Sequence, residues 1–160
     1  MAAWFGTSPN AFAVNSFMKK LIGILLLCAM ALAARAEGGT WLTDFAEAKK
    51  KARAGDKRLV MLFTGSDWCA YCIKWEKEVF STTHFQDYAK ANLVLLMVDF
   101  PEKKPLPKPQ KKANDALFDK YKIEMYPTVV VLDSKGKKTK SFNYTEGGPQ
   151  AFLGKLDAAK

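Results

Sequence analysis

The chain has 160 residues, room for one domain and hardly for two. It is 49 % apolar and holds eleven Phe and four Trp, which excludes a disordered chain and supports a packed core. The formal net charge of +9 raises nucleic acid or an anionic surface as a partner, but the basic residues are not interleaved with aromatics, and no nucleic acid is expected.

Met18-Lys19-Lys20 opens a short positive stretch, residues 21–34 are uncharged and apolar, and Ala34-Arg35-Ala36 has the small-x-small form of a cleavage site. This is the layout of a secretory signal peptide. Residues 1–36 are therefore expected to be removed on export, leaving a domain of residues 37–160 in the periplasm or outside the cell. The apolar run is 14 residues long, short of the roughly 18–20 that a spanning helix needs, so no stable membrane span is expected after processing. An uncleaved anchor is the alternative. Residues 1–17 carry no charge, which points to Met18 as the true start. Cys28 lies in the apolar run behind Leu25-Leu26-Leu27, where a lipidated cysteine normally follows a small residue. Loss of Lys19, Lys20 and Arg35 leaves a net charge of +6, and only Cys69 and Cys72 remain as cysteines.

A helix is expected from Trp41, capped by Thr40, with Phe45, Ala48 and Ala52 on one face and Gly55-Asp56 as its end. Leu59–Thr64 is a short apolar run and predicts a buried strand. Gly65-Ser66-Asp67 breaks it. Residues 72–80 suit a helix, Ser81-Thr82-Thr83 interrupts, and a second helical piece covers His84–Ala91. Leu93–Asp99 predicts another buried strand. Pro101–Lys112 holds four prolines and five lysines and is expected as an exposed, solvated loop, with contact to an acidic partner as the alternative. Helical spacing returns over Ala113–Lys122. Thr128–Leu132 and Lys140–Tyr144 flank a turn and predict an antiparallel hairpin. After Gly147-Gly148-Pro149, a last helix is expected from Gln150 to Ala159. The order α-β-α-β-α-β-β-α implies an α/β fold in which strands separated by helices run parallel.

Trp68-Cys69-Ala70-Tyr71-Cys72 falls where a strand ends and a helix begins. Unpaired N–H groups and the helix dipole stabilise a thiolate in the first turn, which lowers its pKa below the free value. Cys69 gains most and is the expected nucleophile. Cys72 lies one turn on, suited to resolving a mixed disulfide. A disulfide between them closes so short a loop that it restrains little of the unfolded chain, so a purely structural role is the weaker reading. Zinc needs about four ligands, and His84 is the only histidine, so no metal site is expected. Residue 73 is Ile, which excludes the C-x-x-C-H attachment of c-type haem. No cofactor is expected. His84 is expected at the surface, and Trp75, Phe80 and Phe85 in the core.

The stretches LVMLFTGSDWCAYCIKWEKEVF, LVLLMVDF and KYKIEMYPTVVVLDSKGK resemble the thioredoxin superfamily, above all exported bacterial thioredoxin-like proteins and the C-terminal domain of the transmembrane thiol:disulfide reductase transporter. The resemblance covers about residues 40–160. It implies a thioredoxin fold, with a central mixed β-sheet flanked by helices, and thiol–disulfide exchange with protein substrates, fed by an upstream electron donor or acceptor. It implies that Pro127 is a cis-proline facing the site, that the backbone of Tyr126 pairs with substrate, that Trp68 flanks the sulfurs and that Gly147 lines the groove. Reductase is the expected direction and oxidase or isomerase the alternative; a non-catalytic binding module is a further one. No dimerisation segment is evident, so a monomer is expected. One position departs from the pattern. Where many thioredoxins bury an Asp, six residues before the first cysteine, this chain has Phe63. Asp67 and Glu76 are close in sequence and are expected as solvated surface acids.

Overall fold

The computed structural model describes residues 39–158. The expected signal peptide, with Met18 and Cys28, lies outside the described residues. The described chain runs β1 (Trp41–Leu42), α1 (Phe45–Ala54), β2 (Arg58–Thr64), α2 (Ala70–Trp75), a π-helical turn (Glu76–Phe80), α3 (Thr83–Asn92), β3 (Leu93–Asp99), α4 (Lys108–Tyr121), β4 (Thr128–Leu132), β5 (Lys138–Asn143) and α5 (Gly148–Asp157). The strands form one mixed sheet in the order β1-β3-β2-β4-β5. This is the thioredoxin fold class that the sequence implies.

β2 is central because both of its faces are apolar. Side chains alternate along a strand. Val60 and Leu62 therefore enter one core with Trp75, Phe80, Phe85, Phe142 and Phe152, under α2, α3 and α5. Leu59, Met61 and Phe63 enter the other, with Ala48, Ala52, Leu96, Val98 and Leu117, under α1 and α4. The continuous apolar run LVMLFT is the sequence signature of such a doubly covered strand.

Four expectations change. Trp41 and Leu42 are not the start of a helix capped by Thr40; they pair in parallel with Leu95 and Leu96 of β3. The helix begins at Phe45, where the Asp44 carboxylate accepts the Glu47 N–H at 2.7 Å, a stronger cap than Thr40 would give. The expected loop Pro101–Lys112 ends early, because Lys108 already starts α4. Pro109 is tolerated there because the first turn of a helix leaves its N–H groups unpaired. The hairpin's second strand is Lys138–Asn143 rather than Lys140–Tyr144.

The fourth change concerns direction. β2 and β3 are parallel, as expected of strands joined through helices, and β4–β5 is the expected antiparallel hairpin. However, β4 follows a helix and still runs antiparallel to β2. The reason lies in α4, whose middle residue Asn114 donates from Nδ2 to the Asp99 carbonyl at 2.7 Å. The helix is thus tied by its middle to the end of β3. It delivers β4 to the same end from which β3 left, with Thr128 opposite Phe63. That end of the sheet carries the cysteine motif.

Candidate active site

Gly65, Ser66, Asp67 and Trp68 form the turn from β2 into α2. Gly65 is required by close approach: a Cβ there would overlap the Trp68 indole. The indole is folded back over the turn and donates from Nε1 to the Phe100 carbonyl at 2.8 Å. Its ring also meets Tyr126 edge-on, with centroids 5.7 Å apart. Asp99 closes the turn from β3, accepting from Ser66 N–H at 3.0 Å and from Ser66 Oγ at 2.6 Å.

Cys69 caps α2 and is joined to Cys72 in a disulfide, with Cα atoms 5.2 Å apart. The two residues are 8 % and 4 % exposed, so Cys69 is the more accessible. Cys72 N–H donates to Cys69 Sγ at 3.2 Å, and Gly65 N–H approaches Cys72 Sγ at 3.5 Å. Each sulfur therefore has a backbone N–H aimed at it, an arrangement that favours negative charge. Large apolar side chains are exposed in and beside the motif, at Trp68, Tyr71 and Ile73, and just ahead of Tyr126, at Met125; they are between 41 % and 59 % exposed.

The Tyr126–Pro127 peptide bond is cis, and Pro127 precedes Thr128 at the motif's end of the sheet. Tyr126 is wedged among Trp68, Phe100 and Phe118. Burial there, with the charges of Asp115 and Asp99, pushes its phenol pKa up. Gly147 adopts a left-handed backbone conformation (φ +104°) ahead of α5, as its lack of a side chain permits. Its neighbour Glu146 approaches Lys74 of α2 at 3.8 Å.

Phe63 is fully buried and packs on Tyr121, with centroids 6.4 Å apart, so β2 offers Cys72 no carboxyl at that position. Glu76 is exposed, as expected, and accepts from Ser81 Oγ at 3.0 Å. Asp67 is not simply solvated. It accepts from Glu102 N–H at 2.9 Å and Lys103 N–H at 2.8 Å, and these bonds, the one to Glu102 first, hold its carboxyl below the usual carboxylate range. Sequence reasoning missed this tie. The only signal was an Asp beside a Gly-Ser turn, which also fits an ordinary turn residue. Tyr71 and Tyr144, 5.2 Å apart, flank the other side, with Lys74 over the Tyr144 ring at 5.5 Å. His84 is exposed, and Trp75, Phe80 and Phe85 are core residues. Among the described residues, no cluster of three or more His, Cys, Asp or Glu is arranged to hold a metal ion, and no helix is long and apolar enough to cross a membrane.

The thioredoxin-like domain family matches residues 45–159. The chain belongs to this family. Within it, the chain is similar to the disulfide bond reductase DsbH of Chlamydia pneumoniae, with 33 % identity over 116 residues covering 72 % of this chain and 70 % of that protein. A solved DsbH oxidoreductase superposes with a TM-score of 0.71 at 32 % identity, covering 79 % of this chain and 87 % of the other. The reduced C-terminal domain of DsbD from Neisseria meningitidis shares the fold, with a TM-score of 0.56 at 18 % identity over 72 % of this chain and 92 % of that domain. The protein is thus a thioredoxin-like thiol–disulfide oxidoreductase with Cys69–Cys72 as its C-x-x-C disulfide.

Proposed function

We propose that the protein reduces disulfides in exported proteins, with Cys69 attacking and Cys72 resolving. The observation that carries this reading is the Cys72 N–H aimed at Cys69 Sγ at the helix cap, on the more exposed of the two cysteines. In the reduced protein the same N–H meets the Cys69 thiolate. That thiolate attacks one sulfur of the partner disulfide. A mixed disulfide forms, and the partner's second sulfur leaves as a thiolate and takes up a proton. Cys72 then loses its proton and attacks Cys69 Sγ, so that the internal disulfide forms and the partner's first sulfur leaves. The partner gains two electrons and two protons, and the Cys69–Cys72 dithiol supplies them. Repeated turnover needs a dithiol donor upstream.

The similarity to a relative named as a disulfide bond reductase supports this direction. The Tyr126 backbone ahead of cis-Pro127 is the partner's docking edge, with Trp68 and Gly147 lining the groove. Residues 37–160 act as a monomer in the periplasm or outside the cell after removal of the signal peptide 1–36.

Insulin reduction with a chemical dithiol donor tests the activity. Wild type should turn over, Cys69→Ser should abolish it, and Cys72→Ser should accumulate the mixed disulfide. Absence of exchange in wild type sinks the enzymatic reading. A redox potential of about −270 mV supports a reductase, whereas one of about −120 mV reverses the direction.

A further inference from the structure

The segment between β3 and α4 is fastened to the redox turn. Glu102 N–H and Lys103 N–H both donate to Asp67, and Phe100 accepts from Trp68. Asp67 is two residues from Cys69, a chain distance of at most about 7 Å, which lies inside the ~10 Å screening length at 0.1 M salt. Residues held at that anchor therefore act on whatever approaches the sulfurs.

What is held there is mostly positive. Residues 101–112 contain five lysines and a single acid, Glu102. Lys111 is taken by Asp115 at 2.8 Å. Lys103, Lys104, Lys108 and Lys112 are exposed, and none makes an ion pair among the described residues. The opposite flank is the reverse, because the single Lys74 faces two carboxylates, Glu78 at 4.0 Å and Glu146 at 3.8 Å. On this side five lysines meet four carboxylates (Asp67, which feels Lys103, with Asp99, Glu102 and Asp115), whereas on the other flank one lysine meets two, so the positive excess lies with the anchored segment.

We propose that the anchored segment 101–112 is a specificity-determining surface of the redox site, selecting disulfide partners that carry carboxylate side chains beside their cysteines. The proposal rests on the oxidoreductase reading above and adds the class of partner. The lysines take no part in the electron transfer; they raise the encounter rate and hold the acidic flank while Cys69 attacks.

The test is single-turnover reduction of two peptide disulfides of equal length, one flanked by Glu and one by Lys, by the reduced full chain. At ~20 mM salt the Glu peptide should react about tenfold faster, and at ~0.5 M salt the ratio should fall below about twofold. Lys103→Glu with Lys104→Glu should bring the low-salt ratio to about one, whereas mere loss of fold slows both peptides alike and keeps the ratio. Lys49→Glu with Lys50→Glu is the charge-matched control. Those residues lie near Leu59 and the turn Asp133–Gly136, and Leu59 is about 17 Å along β2 from Thr64. This control should keep the preference. A wild-type ratio near one, a ratio that survives the Lys103/Lys104 change, or an equal fall in both double variants overturns the proposal while leaving the oxidoreductase reading intact. Failure of wild type to reduce either peptide overturns both.

Discussion

On the Trp68 side of the disulfide the chain is held by main-chain groups: Phe100 C=O takes the indole N–H, and Glu102 and Lys103 N–H converge on Asp67. On the Tyr71 side it is held by side chains alone. Tyr71 stacks near Tyr144, Tyr144 donates its O–H to Glu78 at 3.2 Å, and Lys74 reaches two exposed carboxylates at 3.8–4.0 Å. Main-chain partners are fixed by the fold, and the bonds cost no side-chain freedom on the main-chain side. Long exposed side chains lose rotamer freedom for a screened attraction, and such pairs are worth little. One wall of the site is therefore built in, and the other adapts to what binds.

The strongest way to break that asymmetry is Gly65→Ala. The new methyl meets the indole, so Trp68 must swing off Phe100, and overpacking of this kind costs about 1–3 kcal/mol, readable by urea unfolding. An unchanged midpoint would mean that the indole is not held where its hydrogen bond places it. Asp67→Asn is the next test. It leaves one acceptor oxygen but removes the charge, so the amide signals of Glu102 and Lys103 should shift and exchange faster, with Phe152 and the rest of the core untouched. The same bonds set a pH dependence. Because folding lowers the Asp67 pKa, the anchor contributes fully above the ordinary carboxylate range and is lost as pH falls through the lowered value. The Lys103 amide shift should therefore hold steady until the pH falls below the ordinary carboxylate range and move only there, and Asp67→Asn should abolish that step. The smallest effect belongs to the other wall: Glu146→Gln removes one exposed partner of Lys74 and should leave the melting midpoint unchanged within error. A clear drop would make the two walls equals.

The central strands, the hairpin and the cysteine turn were legible because each has a local cause. LVMLFT and LVLLMVD are too apolar to face water, TVVVL is β-branched, and Gly65 separates strand from motif. The first strand was not legible, since two residues, Trp41-Leu42, have no periodicity; only pairing with Leu95 and Leu96 makes them a strand. The reversal of β4 was hidden for a related reason. It depends on where α4 is bolted, and Asn114 gives no sign in the sequence that its partner is the Asp99 carbonyl. Of the site, Cys69, Cys72, Trp68 and Pro127 stood out by spacing or resemblance. Asp67 did not, because its partners are backbone groups 35 and 36 residues away, and a backbone N–H has no sequence signature.

The π-helical turn Glu76–Phe80, closed by Ser81 N–H to Glu76 C=O at 2.8 Å, bears on how the scaffold tolerates length change. Such a turn holds one residue more than α-helical winding would. Each residue rotates a helix by about 100°, so the extra one sets the phase of everything after it. Here it turns Val79 and Phe80 inward, Phe80 lying 5.1–5.4 Å from Trp41, Trp75, Phe85 and Phe152. The turn thus works as a phase adjuster between two fixed points: the cysteines upstream must face the partner, and the ring downstream must face the core. Chain length along this segment is consequently constrained to the residue, although Glu76, Lys77 and Glu78 are themselves exposed.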